Sequence, residues 1–317
     1  MTAEYKNWQE EFVDINFTDQ RLKSRFFKII DAFAASPGKS TWAATGSRSS
    51  AKAAYRFFSN SEISKDELLD SISRATVEKI KCADAEWILA VQDTTAVGFG
   101  DRKAIQGMGY YCSTEQRGMR VHSCIAVTDQ GIPLGIIYQE TNTREKLELT
   151  AIYVHESGKK GTEWFLLTTV TVKSEKEIEK LVQCYAHRWK IERFHFILKS
   201  GCKIEKNQAR EYGRLSFLTL LYSVIAMQIL NLTYLGKICP EISSGIVFVE
   251  EEWKVLCCCA RKSKEIPESY SLKEAIYDLG VLGGTKGAPS DGMPGVRSIW
   301  QGLDVLYSLL AYRNYLV

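Results

Sequence analysis

The sequence predicts an α/β chain, α+β in its overall arrangement, with a block of short strands set between a helical front and a helical tail. Three observations predict it. Leu22, Phe26, Phe27, Ile30 and Phe33 recur at helical spacing near the front. Short apolar runs bounded by turn residues fall between Trp87 and Gln139 and again between Ala151 and Val170. Beyond Ser174 the apolar spacing is helical again. Hydrophobic residues make up 45% of the chain and charged residues 25%, the balance of a soluble globular protein. Its 317 residues suffice for two domains, or for one large domain with appendages.

Each element has a local reason. Trp8 to Ile15 opens with an amphipathic turn. Thr18-Asp19 caps a helix from Gln20 to Ala35, and Ser36-Pro37-Gly38 ends it. Ser49 or Ser50 caps a helix through Phe57-Phe58, and Ser64 caps one from Lys65 to Lys81. Trp87 to Thr95 reads as a buried strand with Asp93 at its C-terminal end. Val121 to Thr128 and Leu134 to Gln139 continue it as an antiparallel meander around the turn Asp129–Pro133. The stretch from Gly107 to Arg120, with Tyr110 and Arg117, links the first two strands. Ala151–His155 and Glu163–Val170 are further strands, and one helix runs from Ser174 to Lys199. Leu215–Leu235 is a long apolar helix that suits a core. Glu250–Ala260 and Ser271–Leu282 are helices, and Pro294 opens the last one. With no run of 18 apolar residues, no membrane span is expected.

Net charge is only +3, so the chain as a whole does not declare a nucleic-acid partner. The distribution says more. From Arg188 to Arg214 eight Lys or Arg face three Glu, and from Met1 to Asn60 nine cations face six acids. Such patches suit particular faces that touch a phosphate backbone. Arg21, Lys23, Arg25, Arg48, Lys52 and Arg56 on short helices fit either DNA contact or a helical cap on the next domain. Nine cysteines follow a start with no apolar leader, so free thiols in the cytoplasm are expected. Cys257-Cys258-Cys259 lacks zinc-site spacing and reads as small apolar side chains.

The stretch around which the rest is arranged is Tyr185 to Lys199. As one helix it places Tyr185, Arg188, Glu192 and Lys199 within an arc of about 60°. A carboxylate between cations suits a place where a metal and a phosphate meet. On spacing alone, Arg188 and Glu192 also read as an ordinary i,i+4 ion pair. Tyr-x2-Arg-x3-Glu-x6-Lys, followed by Ser200-Gly201-Cys202, resembles the signature of bacterial insertion-sequence transposases of the DDE type, the IS-four, Tn-five-like group. Asp19-Gln-Arg-Leu, Ser36-Pro-Gly-Lys-Ser and Ala51-Lys-Ala-Ala-Tyr-Arg-Phe-Phe-Ser-Asn60 resemble the DNA-binding front of the same proteins. The strand ending Asp93-Thr-Thr95 resembles their presentation of a first catalytic Asp. Leu282-Gly-Gly and Pro294-Gly-x4-Trp300-x-Gly resemble their C-terminal segment, where subunits meet.

The resemblance implies a ribonuclease-H-like mixed sheet of five strands between helical N- and C-terminal regions. It implies domains at 1–80 (DNA-binding), 81–215 (catalytic) and 216–317 (self-association). The chemistry implied is phosphoryl transfer on DNA with two Mg2+ ions. Asp93 and Glu192 match catalytic metal ligands, and Tyr185, Arg188 and Lys199 match phosphate contacts. Arg193 and Arg214 are helpers on shape, and Arg48, Lys52 and Arg56 contact DNA. The partners implied are double-stranded transposon-end DNA and a second subunit, alike or an intact transposase, with no membrane.

One departure matters. Family members that cut DNA carry a second catalytic Asp on a strand before the signature helix. No Asp occurs here between Asp129 and Asp278. The matching blocks, roughly 15–140 and 150–310, join near 145–150 as if by an internal deletion, which would leave the sheet incomplete. Asp129 and Glu140 are the substitutes to consider. The chain is then a shortened but competent transposase, a DNA- or subunit-binding remnant without strand transfer, or a relic with exposed strand edges.

Overall fold

The computed structural model describes residues 8–12, 14–15, 17, 19–60, 62–100, 105–108, 117–140, 150–155, 163–168, 172, 174–285 and 292–313. A 3-10 turn at Trp8–Phe12 precedes four helices: α1 (Gln20–Ala34), α2 (Thr41–Thr45), α3 (Arg48–Phe58) and α4 (Lys65–Cys82). The caps explain the starts. Asp19 accepts from the Arg21 amide, Ser40 from Ala43, Ser47 from Ser50, and Ser64 from Asp66 and Glu67. Ser47 therefore caps α3, in place of the expected Ser49 or Ser50. Helix α2 was not expected at all, since five residues carry too little periodicity to read.

Strands β1 (Ile88–Gly98), β2 (Gly118–Thr128) and β3 (Pro133–Glu140) form an antiparallel sheet in the order β1-β2-β3. Asp93 lies opposite Ser123, and Ser123 opposite Gln139. Strands β4 (Thr150–His155) and β5 (Glu163–Thr168) pair only with each other among the described residues. The expected five-stranded mixed sheet is thus three antiparallel strands plus a separate two-stranded ribbon. Among the described residues β1 stands at an edge, as does β3. β1 also runs three residues past Thr95, so Asp93 sits in mid-strand and not at a strand end.

After β5, α5 (Glu175–Tyr185) starts on a Ser174–Glu177 capping box. The expected single helix is broken in two places. Ala186–Arg188 is a 3-10 turn, α6 covers Trp189–Phe196, and Ile197–Gly201 is a π-turn. Helix α7 (Tyr212–Ile238) is long and apolar enough to cross a membrane, but 94% of its most apolar window is buried inside the protein. Helices α9 (Leu272–Leu282) and α10 (Val296–Arg313) pack against it, and α8 (Glu250–Arg261) packs against those two.

One continuous core runs from Phe12 to Leu306. Phe33 stacks on Tyr222 at 5.3 Å, and Phe58 meets Phe217 at 5.2 Å, so the front helices are seated on α7. The eight described cysteines are all free.

Candidate active site and nucleic-acid face

α6 lies across β1 and β2 because Ile191 and Phe194 on it, and Ile197 just beyond its end, are wholly buried. That seating brings His195, only 5% exposed, to Asp93: Nδ1 stands 3.6 Å from Oδ2. Burial pushes His195 down to about 4, against the pull of the Asp93 carboxylate, so the imidazole is neutral at physiological pH. Its Nε2 is buried with no hydrogen-bond partner among the described residues. Sequence reasoning missed His195. The signal for it was its place one turn after Glu192.

Arg188 and Glu192 lie on the solvent side of the same segment and form an ion pair of 2.6 Å. The Arg188 guanidinium also lies 5.6 Å from the Tyr185 ring and 5.2 Å from the ring of Trp189, which is 61% exposed. The structure therefore brings Tyr185, Arg188 and Glu192 together. Lys199, displaced by the π-turn, sits 3.7 Å from Glu205, which accepts from the Gly98 amide at the end of β1. Arg193 bears on Tyr234 of α7, the ring that Lys190 approaches at 4.7 Å.

The two substitute acids fare differently. Asp129 is six residues beyond Ser123, roughly 20 Å along the strand from the Asp93 row, and its carboxylate faces Lys180 at 3.6 Å. It is no third ligand. Glu140 holds the register position opposite His122, in the row of Thr94 that alternates with the Asp93 row. Tyr110 lies outside the described residues.

The front helices carry the other candidate surface. Arg48, Lys52 and Arg56 recur every four residues down one stripe of α3, and none has an ion-pair partner among the described residues. Arg21, Arg25 and Lys28 of α1 line a cleft against Ser50 and Ala53 on one flank of α3. On the other flank Trp42 and Arg214 line a second groove with the α3 cations. A helix bearing a free cationic stripe between two cationic flanks suits a duplex backbone.

Three family profiles match the chain in succession: Transposase DNA-binding over residues 6–63, Transposase DDE domain over 70–227, and Transposase Tn5 dimerisation domain over 224–315. The chain belongs to the DDE transposases of the Tn5 and IS4 kind. The DDE match implies a ribonuclease-H-like fold, to which the β1-β2-β3 meander and the helices beside it correspond. The DNA-binding match covers α1, α2 and α3, and the dimerisation match begins inside α7. DNA binding and dimer formation are thereby supported.

The family works with divalent metal. The donors among the described residues do not fit a two-cation site. Among the described residues no three His, Cys, Asp or Glu side chains gather closely enough to hold a metal ion. Asp93 stands beside His195, and Glu192 is taken by Arg188. Hard cations such as Mg2+ require several oxygen ligands.

Proposed function

We propose that this transposase binds double-stranded DNA at element ends and does not cut it. The observation that carries the reading is the lack of a second Asp anywhere between Asp129 and Asp278. The position of β1 at a sheet edge supports it, since a deletion near 145–150 removes the strand that would lie there. In this reading residues 1–80 bind DNA, 81–215 are the shortened catalytic domain and 216–317 associate with another subunit, in the cytoplasm. Asp93 and Glu192 keep the positions of the family's first and third metal ligands without assembling a site between them. Tyr185, Arg188, Lys199 and Arg193 remain as backbone contacts, and Arg48, Lys52 and Arg56 provide most of the duplex affinity. Two carboxylates against two Mg2+ leave one ion without a ligand of its own, so geometry and charge compensation both fail.

The test uses duplexes enriched from a randomised pool by the full chain. Binding should be retained with Asp93→Asn, and no strand should be nicked with Mg2+ or Mn2+. Nicking that disappears in Asp93→Asn would show a competent enzyme and overturn the reading. A second role follows from the match to a dimerisation domain. Paired with an intact transposase, the chain forms a complex with one deficient site and lowers transposition. Co-expression that leaves transposition unchanged, in the presence of a co-purifying heterodimer, would exclude it.

A further inference from the structure

Trp42 is 60% exposed on α2, whose start is held by the Ser40 cap and by Thr41, which is 1% exposed. The indole lines the groove with Arg48, Lys52, Tyr55, Arg56 and Arg214. Arg214 comes from the start of α7, far away in sequence. Its Nε donates to Ser59 Oγ at 2.7 Å, its guanidinium lies 6.0 Å from the Tyr55 ring, and a second nitrogen pairs with Glu211 at 3.1 Å. The groove is therefore built jointly by the front helices and the long core helix, and its walls are pinned. An exposed indole favours an apolar or π-rich partner, while four cations favour an anion. An apolar protein surface would strip water from the cations without return. Nucleic acid answers both needs, with phosphates for the cations and the face of a base for the ring.

Resting on the DNA-binding reading above, we propose that Trp42 contacts a base. Its indole stacks on an unstacked base of the bound duplex, while Arg214 holds a phosphate of the same segment. Trp42 is then a source of affinity in the front domain that any base can satisfy, and Arg214 ties that domain's DNA to the core.

The experiment uses the full chain and its Trp42→Ala, Trp42→Phe and Arg214→Ala variants, with duplexes selected from a randomised pool by the wild type. Trp42→Ala should lower affinity about ten- to hundredfold, and Trp42→Phe should retain most of it. Neither should change the salt dependence, because no charge is lost. Arg214→Ala should reduce the salt slope by about 0.9. 2-Aminopurine scanned through the selected site should show one position whose emission in the wild-type complex is quenched relative to the Trp42→Ala complex, because the indole stacks on it. Wild-type affinity in Trp42→Ala, or no position whose emission depends on Trp42, overturns the inference. A chain that enriches no duplex overturns the DNA-binding reading as well. If the Arg48, Lys52 and Arg56 alanine variant loses binding while Trp42→Ala does not, that reading stands and only the role of Trp42 falls.

Discussion

Lys190 is a buried ammonium with no carboxylate beside it among the described residues. It is 6% exposed, and its Nζ donates to His187 Nδ1 at 2.8 Å. His187 Nε2 in turn faces the Asp129 carbonyl at 3.1 Å, so the neutral ring donates there and accepts from the lysine. Burial pushes Lys190 down to about 8, and burial also lowers His187, with Lys190 adding to it. The folded value lies below the ordinary lysine range near 10.5. Between about 8 and about 10.5 the unfolded chain holds a proton that the folded chain has released, so stability rises with pH. Urea unfolding across that window should show a gain in the wild type, on the order of 1–3 kcal/mol, that Lys190→Met lacks. Equal slopes in the two proteins would remove Lys190 as its source.

Helices α9 and α10 touch through glycine. A Cβ on Gly302 would meet the backbone carbonyl of Leu279, and one on Gly283 would meet that of Ser298. Backbone against backbone leaves nothing to rotate away, so the helices must part. Gly302→Ala should cost about 1–3 kcal/mol in urea unfolding. Gly213, at the start of α7, has open space around its Cβ position. Gly213→Ala should be neutral or stabilising by up to about 1 kcal/mol. Because the dimerisation match spans residues 224–315, Gly302→Ala should also weaken self-association. Unchanged sedimentation would separate the α9–α10 crossing from the subunit contact.

Seen whole, the molecule is joined by α7. The DDE match ends at residue 227 and the dimerisation match begins at 224, both inside this one helix. The front helices also rest on it through Phe33 and Phe58. A shared core predicts a single cooperative calorimetric transition. Phe33→Ala should shift that whole transition by about 3–5 kcal/mol. Two transitions, with only one of them moved, would mean that the front helices unfold by themselves. The edge position of β1 belongs to this scale too. Its outer backbone groups pair with no strand among the described residues and are a template for a further one, so the protein should aggregate more readily than one in which that edge is covered. Light scattering at matched concentration measures this.

By itself the sequence determined what depends on local chemistry. Asp19, Ser64, Ser174 and Ser271 mark helix starts because a cap acts within three residues. The β1–β3 meander follows from short apolar runs and the turn at Asp129. The Tyr185, Arg188, Glu192 cluster follows from helical spacing, which survives the 3-10 turn that precedes α6. The missing Asp is likewise a property of sequence alone. Only the tertiary structure decided the rest. It drew Lys199 aside through a π-turn, placed Asp93 in mid-strand and separated β4 and β5 from the sheet. It also set His195 against Asp93, and Arg214 against Ser59 across 155 residues. Periodicity reports which face of an element is apolar. It does not report which distant element covers that face, and that pairing determines which side chains meet.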